Sequence, residues 1–513
     1  MTPTRKNSII YFNAAMWDHV ITPFARHLKE AHGLETVMLT SKAPLPARAT
    51  FFDRSVFSEI VDWRPLLRFR SVETLPPIKT MVEEAQAIEK AQGFGILDAV
   101  RSDRHVGAGF VTGARVMKSS YAQRATFEQA IDLALRIYAS ASELLDRVQP
   151  IAILGNAGMI HTTILVNLAE ARGIPVRSLG APRRSNSFFW CANRFGWPVD
   201  FGRDYRSMLG RDESRATEGE AAALAYRAPD RAAKIIRAVA RPPGVRALLR
   251  RVYGVLRSNW RQIAGINSAL DYGAYSVGDK LIMAFWSWRQ SRATANAPHM
   301  LPSVPAGVPT VFFPLTTEPE GSLMVESLAC DTQLVPIDWL AKTLPTGWRL
   351  LVKEHPVMNL PRPRGFWERI RAYPNVVVLA PTESADAVID RSAAVAVIGS
   401  TVGLQAAARG KPIICFNPNY IATVLPHALT VSSYETTAAA LRRVRDDELP
   451  PMPERLRAMK AYLDAYAKSE FPISEPALLS GHPGKKSPAP ELIATLVETF
   501  LRSLGSARKA DAA

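Results

Sequence analysis

The run Leu350-Leu351-Val352-Lys353-Glu354-His355-Pro356 is answered about forty residues later by Val397-Ile398-Gly399-Ser400-Thr401-Val402-Gly403. Each half reads as an apolar strand that stops abruptly at polar residues suited to holding a phosphate. Two such endings in one half of a chain point to one parallel sheet with its ligand at the carboxyl edge. The second half also opens a helix, whose first backbone N–H groups face the same crevice.

The surrounding pattern extends this sheet. Strands are expected at 308–315, 348–353, 376–379, 394–398 and 413–416, with helices over 322–329, 384–391 and 402–408 between them. A second series lies near the start of the chain. Residues 8–12 read as a strand, 17–31 as a helix stopped by Gly33, and 35–39 as the returning strand. Residues 151–154, the small-residue turn Gly155-Asn156-Ala157-Gly158, a helix over 160–172 and a strand over 175–179 repeat the unit, and about 80–147 is helical in pattern. At 513 residues the chain is too long for a single core. The expected fold is α/β, with two Rossmann-type domains facing a central crevice. Residues 1–205 are expected to form the first of these domains, 206–300 a basic helical connector and 301–475 the second. Residues 476–513 hold a terminal helix over 492–504 and a tail expected to be disordered from Ser506.

The net charge of +16 calls for an anionic partner, which charge alone does not choose. Between Arg227 and Arg292 stand thirteen Lys or Arg against three Asp or Glu. Within that stretch, Val245 to Trp260 has apolar residues at three- and four-residue steps with arginines between them, a basic amphipathic helix. One reading is a connector helix packed on a sheet domain. The other is a helix lying on an anionic membrane surface through residues 244–264, with Phe285, Trp286 and Trp288 as an aromatic anchor. Cys191, Cys330 and Cys415 are far apart and form no CxxC pair, which fits a reducing compartment. No run of eighteen apolar residues occurs and the first twelve residues do not make a signal peptide, so a cytoplasmic protein is expected, either free or peripheral at the inner face of the cytoplasmic membrane. Nucleic acid is not an expected partner.

Single residues refine the chemistry. An imidazole at a strand's end, held by Pro356, can donate to a phosphate oxygen, and Lys353 lies on the same strand face one step deeper. Ser400, Thr401 and Gly403 supply hydroxyls and close approach at a helix start, and Gln405 follows in the first turn. Each also has a plain reading as a cap or a solvated side chain. Pro314 to Ser322 follows another strand, and Glu320, ahead of Glu318, is the candidate base toward an acceptor hydroxyl; the plain reading is a carboxylate at a helix start. In the first domain Arg101, Asp103, Arg104 and His161 are acceptor-side candidates, with surface ion pairing or capping as the alternative. Asn13, Trp17, Asp18, His19 and Thr162 also follow strand ends. There is no GxxxxGK[ST] loop, HExxH helix, GxSxG elbow or DxD element, so neither a metal nor a cofactor is expected. Helix N–H groups and cations can neutralise a leaving phosphate without one.

The elements Val352-Lys353-Glu354-His355-Pro356 and Gly399-Ser400-Thr401-Val402-Gly403-Leu404-Gln405-Ala406, followed by Gly410-Lys411-Pro412-Ile413, resemble the capsule polysaccharide biosynthesis family, which includes bacterial β-Kdo transferases. They are also similar to motifs of bacterial sialyltransferases and polysialyltransferases. The resemblance implies a GT-B-like glycosyltransferase of surface (capsular or lipopolysaccharide) polysaccharide, with His355, Ser400 and Thr401 on the nucleotide of a CMP-sugar. CMP-Kdo is the implied donor, and a glycan or glycolipid is the acceptor. Gln405 stands where that family often has Glu. A glycerophosphotransferase or nucleotide-sugar epimerase of the same fold, and a non-catalytic scaffold of a polysaccharide assembly complex, are the alternatives.

Overall fold

The computed structural model describes residues 7–12, 20–41, 53–103, 106, 125–180, 187–209, 236–237, 239–258, 260, 277–318, 320–330, 332–358, 362, 365–473 and 488–510. The chain begins with β1 (Ser8–Phe12), α1 (Ile21–His32), β2 (Glu35–Thr40) and β3 (Glu59–Asp62). Helices α2 (Ile78–Gln92), α3 (Ile96–Arg101) and α4 (Phe127–Val148) follow, then β4 (Ala152–Leu154), α5 (Ile160–Ala171), β5 (Val176–Gly180), β6 (Ser187–Cys191) and α6 (Phe201–Leu209). Two helices, α7 (Val245–Ser258) and α8 (Val277–Ala295), stand between the sheets in sequence.

The second sheet region is β7 (Thr310–Pro314), α9 (Gly321–Met324), α10 (Leu334–Thr343), β8 (Arg349–Lys353), α11 (Phe366–Arg371), β9 (Val376–Leu379), α12 (Ala385–Arg391), β10 (Ala394–Val397), α13 (Thr401–Ala407), β11 (Ile413–Cys415) and β12 (Ala428–Thr430). The chain ends with α14 (Tyr434–Arg445), α15 (Met452–Ser469), β13 (Phe471–Pro472) and α16 (Pro490–Ala510).

Both sheets are wound alike. Sheet one runs β3-β2-β1-β4-β5-β6-β13 and sheet two runs β9-β8-β7-β10-β11-β12. In each, the chain starts at the centre, steps outward twice, returns to the other side of its first strand and steps outward again. Sheet two is parallel throughout. Sheet one is parallel until β6, which runs antiparallel to β5. The order reverses between β1 and β4, and again between β7 and β10, and at such points the strand ends splay to leave a crevice.

The central strands form because both of their faces are buried. Ile9 and Tyr11 point into one core and Ile10 and Phe12 into another. Val311 and Phe313 face away from Phe312 in the same way. Such strands read as continuous apolar runs rather than alternating ones, which is why they stand out in the sequence. Gly33, at φ 63, ends α1 in the left-handed region.

Several expectations change. The helix expected over 322–329 is the short α9, followed by a 3-10 turn at Leu328–Cys330. Strands β3, β6, β12 and β13 were not expected; β3 and β12 lie at sheet edges, where pairing rather than composition decides. The last helix does not stop at Leu504. β13 pairs with β6, and α16 continues to Ala510 while Leu492, Leu496, Val497 and Phe500 bury into the core beside α1. Phe500 meets Phe24 and Trp190 at ring-centroid distances of 5.8 and 5.2 Å. At the other seam Phe201 of α6 packs 5.1 Å from Tyr462 of α15, inside the core of sheet two. The chain therefore crosses between the two sheet regions and returns. Helix α7 packs chiefly against α8, not on a sheet, with apolar side chains outward. Among the described residues no helix is long and apolar enough to cross a membrane.

Phe500 is fully buried, so Phe500→Ala should cost about 3–5 kcal/mol. The check is a chemical-denaturation curve; a midpoint equal to that of the unmodified protein would show that α16 is dispensable to the sheet-one core.

Candidate functional site

The crevice in sheet two is framed by the ends of β8, β7 and β10. Lys353 closes β8 on the face of Leu351 and is 5% exposed. It has no hydrogen bond or ion pair among the described residues, although Glu354 and Glu383 exert a field on it. Burial lowers its pKa to about 8 against the pull of those carboxylates. Glu383 acts on it through its field rather than through an ion pair; its Oε1 accepts from the N–H groups of Met300 (2.6 Å) and Leu301 (3.2 Å), and its Oε2 is buried without a hydrogen-bond partner among the described residues.

His355 follows, half-buried. Burial keeps its imidazole below the usual basicity, while Glu354 and Glu320 pull the other way. Its Nδ1 accepts from the Val357 N–H at 3.4 Å. That leaves Nε2 to carry the proton of the neutral ring and act as the donor.

Glu354 turns to the opposite face. There Arg362 donates to it through Nε (2.8 Å) and Nη2 (2.5 Å), and Arg362 Nη1 lies 3.1 Å from Glu318. Arg362 Nη2 also donates to the Thr316 carbonyl at 2.7 Å. All three charged groups are buried. This triad pins the loop after β7 to the loop after β8. Glu318 also accepts from Gln333 Nε2 at 2.7 Å. The expectation of Glu318 as a base is therefore corrected: its oxygens are committed to a buried guanidinium and an amide. Glu320 is exposed and accepts from the Thr317 hydroxyl, within the field of His355.

Beyond β10, Ser400 caps α13 by accepting from the Val402 N–H at 3.2 Å, and its carbonyl accepts from Tyr420 Oη at 2.6 Å. Thr401 is half-buried at the first position of this seven-residue helix. Gly403 is a glycine for packing rather than for a ligand: a Cβ there would stand 3.1 Å from both Tyr420 Oη and Val397 Cγ2. Gln405 is half-buried, and its carbonyl accepts from Arg409.

Among the described residues the first-domain candidates occupy separate settings. Asp103 is buried and accepts from the Ile160 N–H at 2.8 Å, holding the start of α5. His161 is 1% exposed, 2.9 Å from Ser41 Oγ and edge-on to Trp63. It sits inside the fold because α5 is buried on every side from Ile160 to Ala169. Arg101 lies 3.8 Å from Asp98 as a partly exposed pair. Arg104, like Asn13, Trp17, Asp18 and His19, lies outside the described residues.

The two domains meet around a cavity of about 280 Å³ that the sequence did not reveal. Asp98, Asn167 and Arg194 line one wall, and Glu326, Ser327 and Asn419 the other. Arg194 donates to Asn167 Oδ1 and lies over the Phe195 ring. Trp197 Nε1 reaches across to the Asn419 carbonyl at 2.7 Å. The Glu326 carboxylate comes within 3.9 Å of the place a Gly399 side chain would occupy, so the cavity adjoins the loop that leads into Ser400. No spacing marks these residues: Glu326 lies in a stretch that reads as ordinary helix, and Arg194 in an irregular turn. A larger opening of about 890 Å³ lies between α2 and α4, away from both crevices. Among the described residues no group of three or more His, Cys, Asp or Glu side chains could hold a metal ion.

Residues 286–424 match the family model described as capsule polysaccharide biosynthesis protein. A search of curated proteins by sequence finds no match. Among solved structures, the chain is similar to a beta Kdo 2,4 transferase, KpsC of Thermosulfurimonas dismutans, at 14% identity and TM-score 0.31 over 68% of this chain and 88% of that one. It is similar to a glycosyltransferase from Rickettsia africae at 9% identity and TM-score 0.31 over 98% and 99%. The UDP-GlcNAc 2-epimerase of Neisseria meningitidis, bound to UDP-GlcNAc, is similar at 11% identity and TM-score 0.26 over 96% and 99%. These likenesses are too faint to carry function.

Lys353 makes stability depend on pH in a definite direction. Its ordinary pKa is 10.5 and its folded value about 8. Below pH 8 both states hold the proton and the burial penalty is complete. Between about 8 and 10.5 only the unfolded chain holds it, so this group's contribution to stability rises with pH by roughly 3 kcal/mol. Lys353→Met should therefore raise the unfolding temperature at pH 7, and its advantage should shrink as pH climbs through that window. A variant less stable than the unmodified protein at pH 7 would show the ammonium to be paired in solution.

Proposed function

We propose, from the match of residues 286–424 to the capsule polysaccharide biosynthesis family model and from the site geometry, that the chain is a glycosyltransferase that moves a sugar from a nucleotide-activated donor to a glycan or glycolipid acceptor. The observation that carries the reading is Lys353, a buried cation with no ion pair among the described residues, beside the His355 donor at the carboxyl edge of a doubly wound sheet. A nucleotide phosphate supplies the missing charge. Lys353 and His355 hold the phosphate, and Ser400, Thr401 and Gln405 border the nucleotide from the β10 side. CMP-Kdo is the proposed donor, on the strength of the motif resemblance alone. The proposed location is the cytoplasm, at the inner face of the cytoplasmic membrane.

The transferred sugar would occupy the cavity between the domains, where Arg194 suits a sugar carboxylate and Asp98, Asn167 and Glu326 suit hydroxyls. In the reaction an acceptor oxygen attacks the anomeric carbon. The bond from that carbon to the phosphate oxygen breaks, and the nucleotide leaves with the electron pair. The acceptor's proton passes to a carboxylate, for which Glu320 is proposed. Cations at the leaving phosphate lower the barrier by meeting charge as it develops.

Calorimetry with CMP, CDP and UDP tests the donor site. CMP should bind, and His355→Ala and Lys353→Met should each weaken it by tenfold or more while the fold is retained. Binding of none of the three by the folded protein would favour a non-catalytic scaffold. Bound phosphate stabilises the Lys353 ammonium, so affinity should fall as pH rises above about 8. Glu320→Gln should leave nucleotide affinity unchanged and lower turnover by about 10²–10⁴-fold; unchanged turnover would reject it as base and pass the role to Glu326.

A further inference from the structure

The hairpin of α7 and α8 carries a surface that the transfer reaction does not use. Val245, Leu249, Tyr253 and Leu256 are 61%, 61%, 63% and 41% exposed. At about 100° per residue they fall within about 80° of one another, a single stripe along α7. Arg246, Arg250 and Arg257 are exposed along one flank of it. Helix α7 has four arginines and no acidic residue. The opposite side, with Ala247, Arg251 and Val255, is half-buried, and Arg251 there donates to Ser287 of α8 at 2.9 Å. The outward stripe is thus not the helix's packing face.

Helix α8 repeats the arrangement. Ile282 and Phe285 are 50% and 42% exposed near its start. Arg289 and Arg292, exposed further along, lie over the rings of Trp286 and Trp288 at 5.3 Å each. Trp288 Nε1 donates to the Pro243 carbonyl at 3.1 Å, which braces the start of α7.

We propose that this hairpin docks the protein on an anionic lipid surface, with Leu249, Tyr253, Ile282 and Phe285 entering the acyl boundary and the flanking arginines meeting lipid phosphates. The occupant follows from the chemistry of the face. Apolar side chains this exposed and this aligned need cover from water. The row of cations beside them matches a surface that is apolar inside and anionic at its rim. A second copy would set the arginines of two such helices against each other. A nucleic acid would engage the arginines but leave Val245, Leu249 and Leu256 in water. The inference does not depend on the nucleotide reading, and its test needs no turnover.

The test is flotation of the full chain with vesicles of phosphatidylcholine alone and of phosphatidylcholine mixed with phosphatidylglycerol. The protein should float with the mixed vesicles only. Two double variants, Leu249→Glu with Tyr253→Glu and Arg246→Glu with Arg250→Glu, should each lower the bound fraction by about tenfold or more. All four positions are exposed, so thermal unfolding should be unchanged. Failure of the unmodified protein to float with mixed vesicles overturns the proposal. So does full binding by either variant, which would assign the contact to charge alone or to apolar surface alone. Self-association abolished by the same variants without vesicle binding would identify a second copy as the occupant.

Discussion

Lys353 ends a strand beneath the surface of sheet two, and among the described residues nothing of opposite charge touches it. A buried ammonium without a partner is costly, and a fold tolerates it only where the surroundings are otherwise determined. Here they are. Strand β8 is locked between β7 and β9 over its length, and the carboxylates that could have swung toward the lysine are held elsewhere. Glu354 faces Arg362, and Glu383 accepts backbone N–H groups around Met300. Among the described residues, these carboxylates act on the ammonium through their field and not through contact.

The Arg362 triad has a second consequence. It ties together the loops that follow β7 and β8. Those loops carry Glu320 and His355, the two groups closest to the proposed chemistry. Replacing a buried triad by apolar residues can be neutral or stabilising, so its value here lies in geometry: it fixes the spacing of two loops that no shared secondary structure joins.

The winding of the two sheets explains why the site lies where the domains meet. Each reverses direction beside its first strand, so each opens a crevice at the ends of its two central strands. Between the domains runs the cavity with Arg194 on one wall and Glu326 on the other. The chain crosses this seam more than once, through Trp197, through Phe201 against Tyr462, and through the return from α15 to β13. The α7–α8 hairpin stands apart as a separate surface with its own physical logic.

The central strands of the second domain were legible because burial on both sheet faces leaves unbroken apolar runs between polar strand ends, as at Leu350–Lys353 and Ala394–Val397. Lys353 and His355 were legible for the same reason, since a polar residue at the end of such a run is conspicuous. The split between Glu318 and Glu320 was not. Two residues apart in one loop, they differ only because Arg362, more than forty positions away, is folded against one of them. Nor could His161 be told from a crevice residue, since a helix buried on every side looks in sequence like one with a free polar face. Arg194 and Glu326 belong to different domains and share no pattern. By itself the sequence determined the buried central strands and which residues end them, because those depend on local apolar periodicity. Tertiary structure alone decided which charges are neutralised and which are not, because that depends on contacts between segments far apart along the chain.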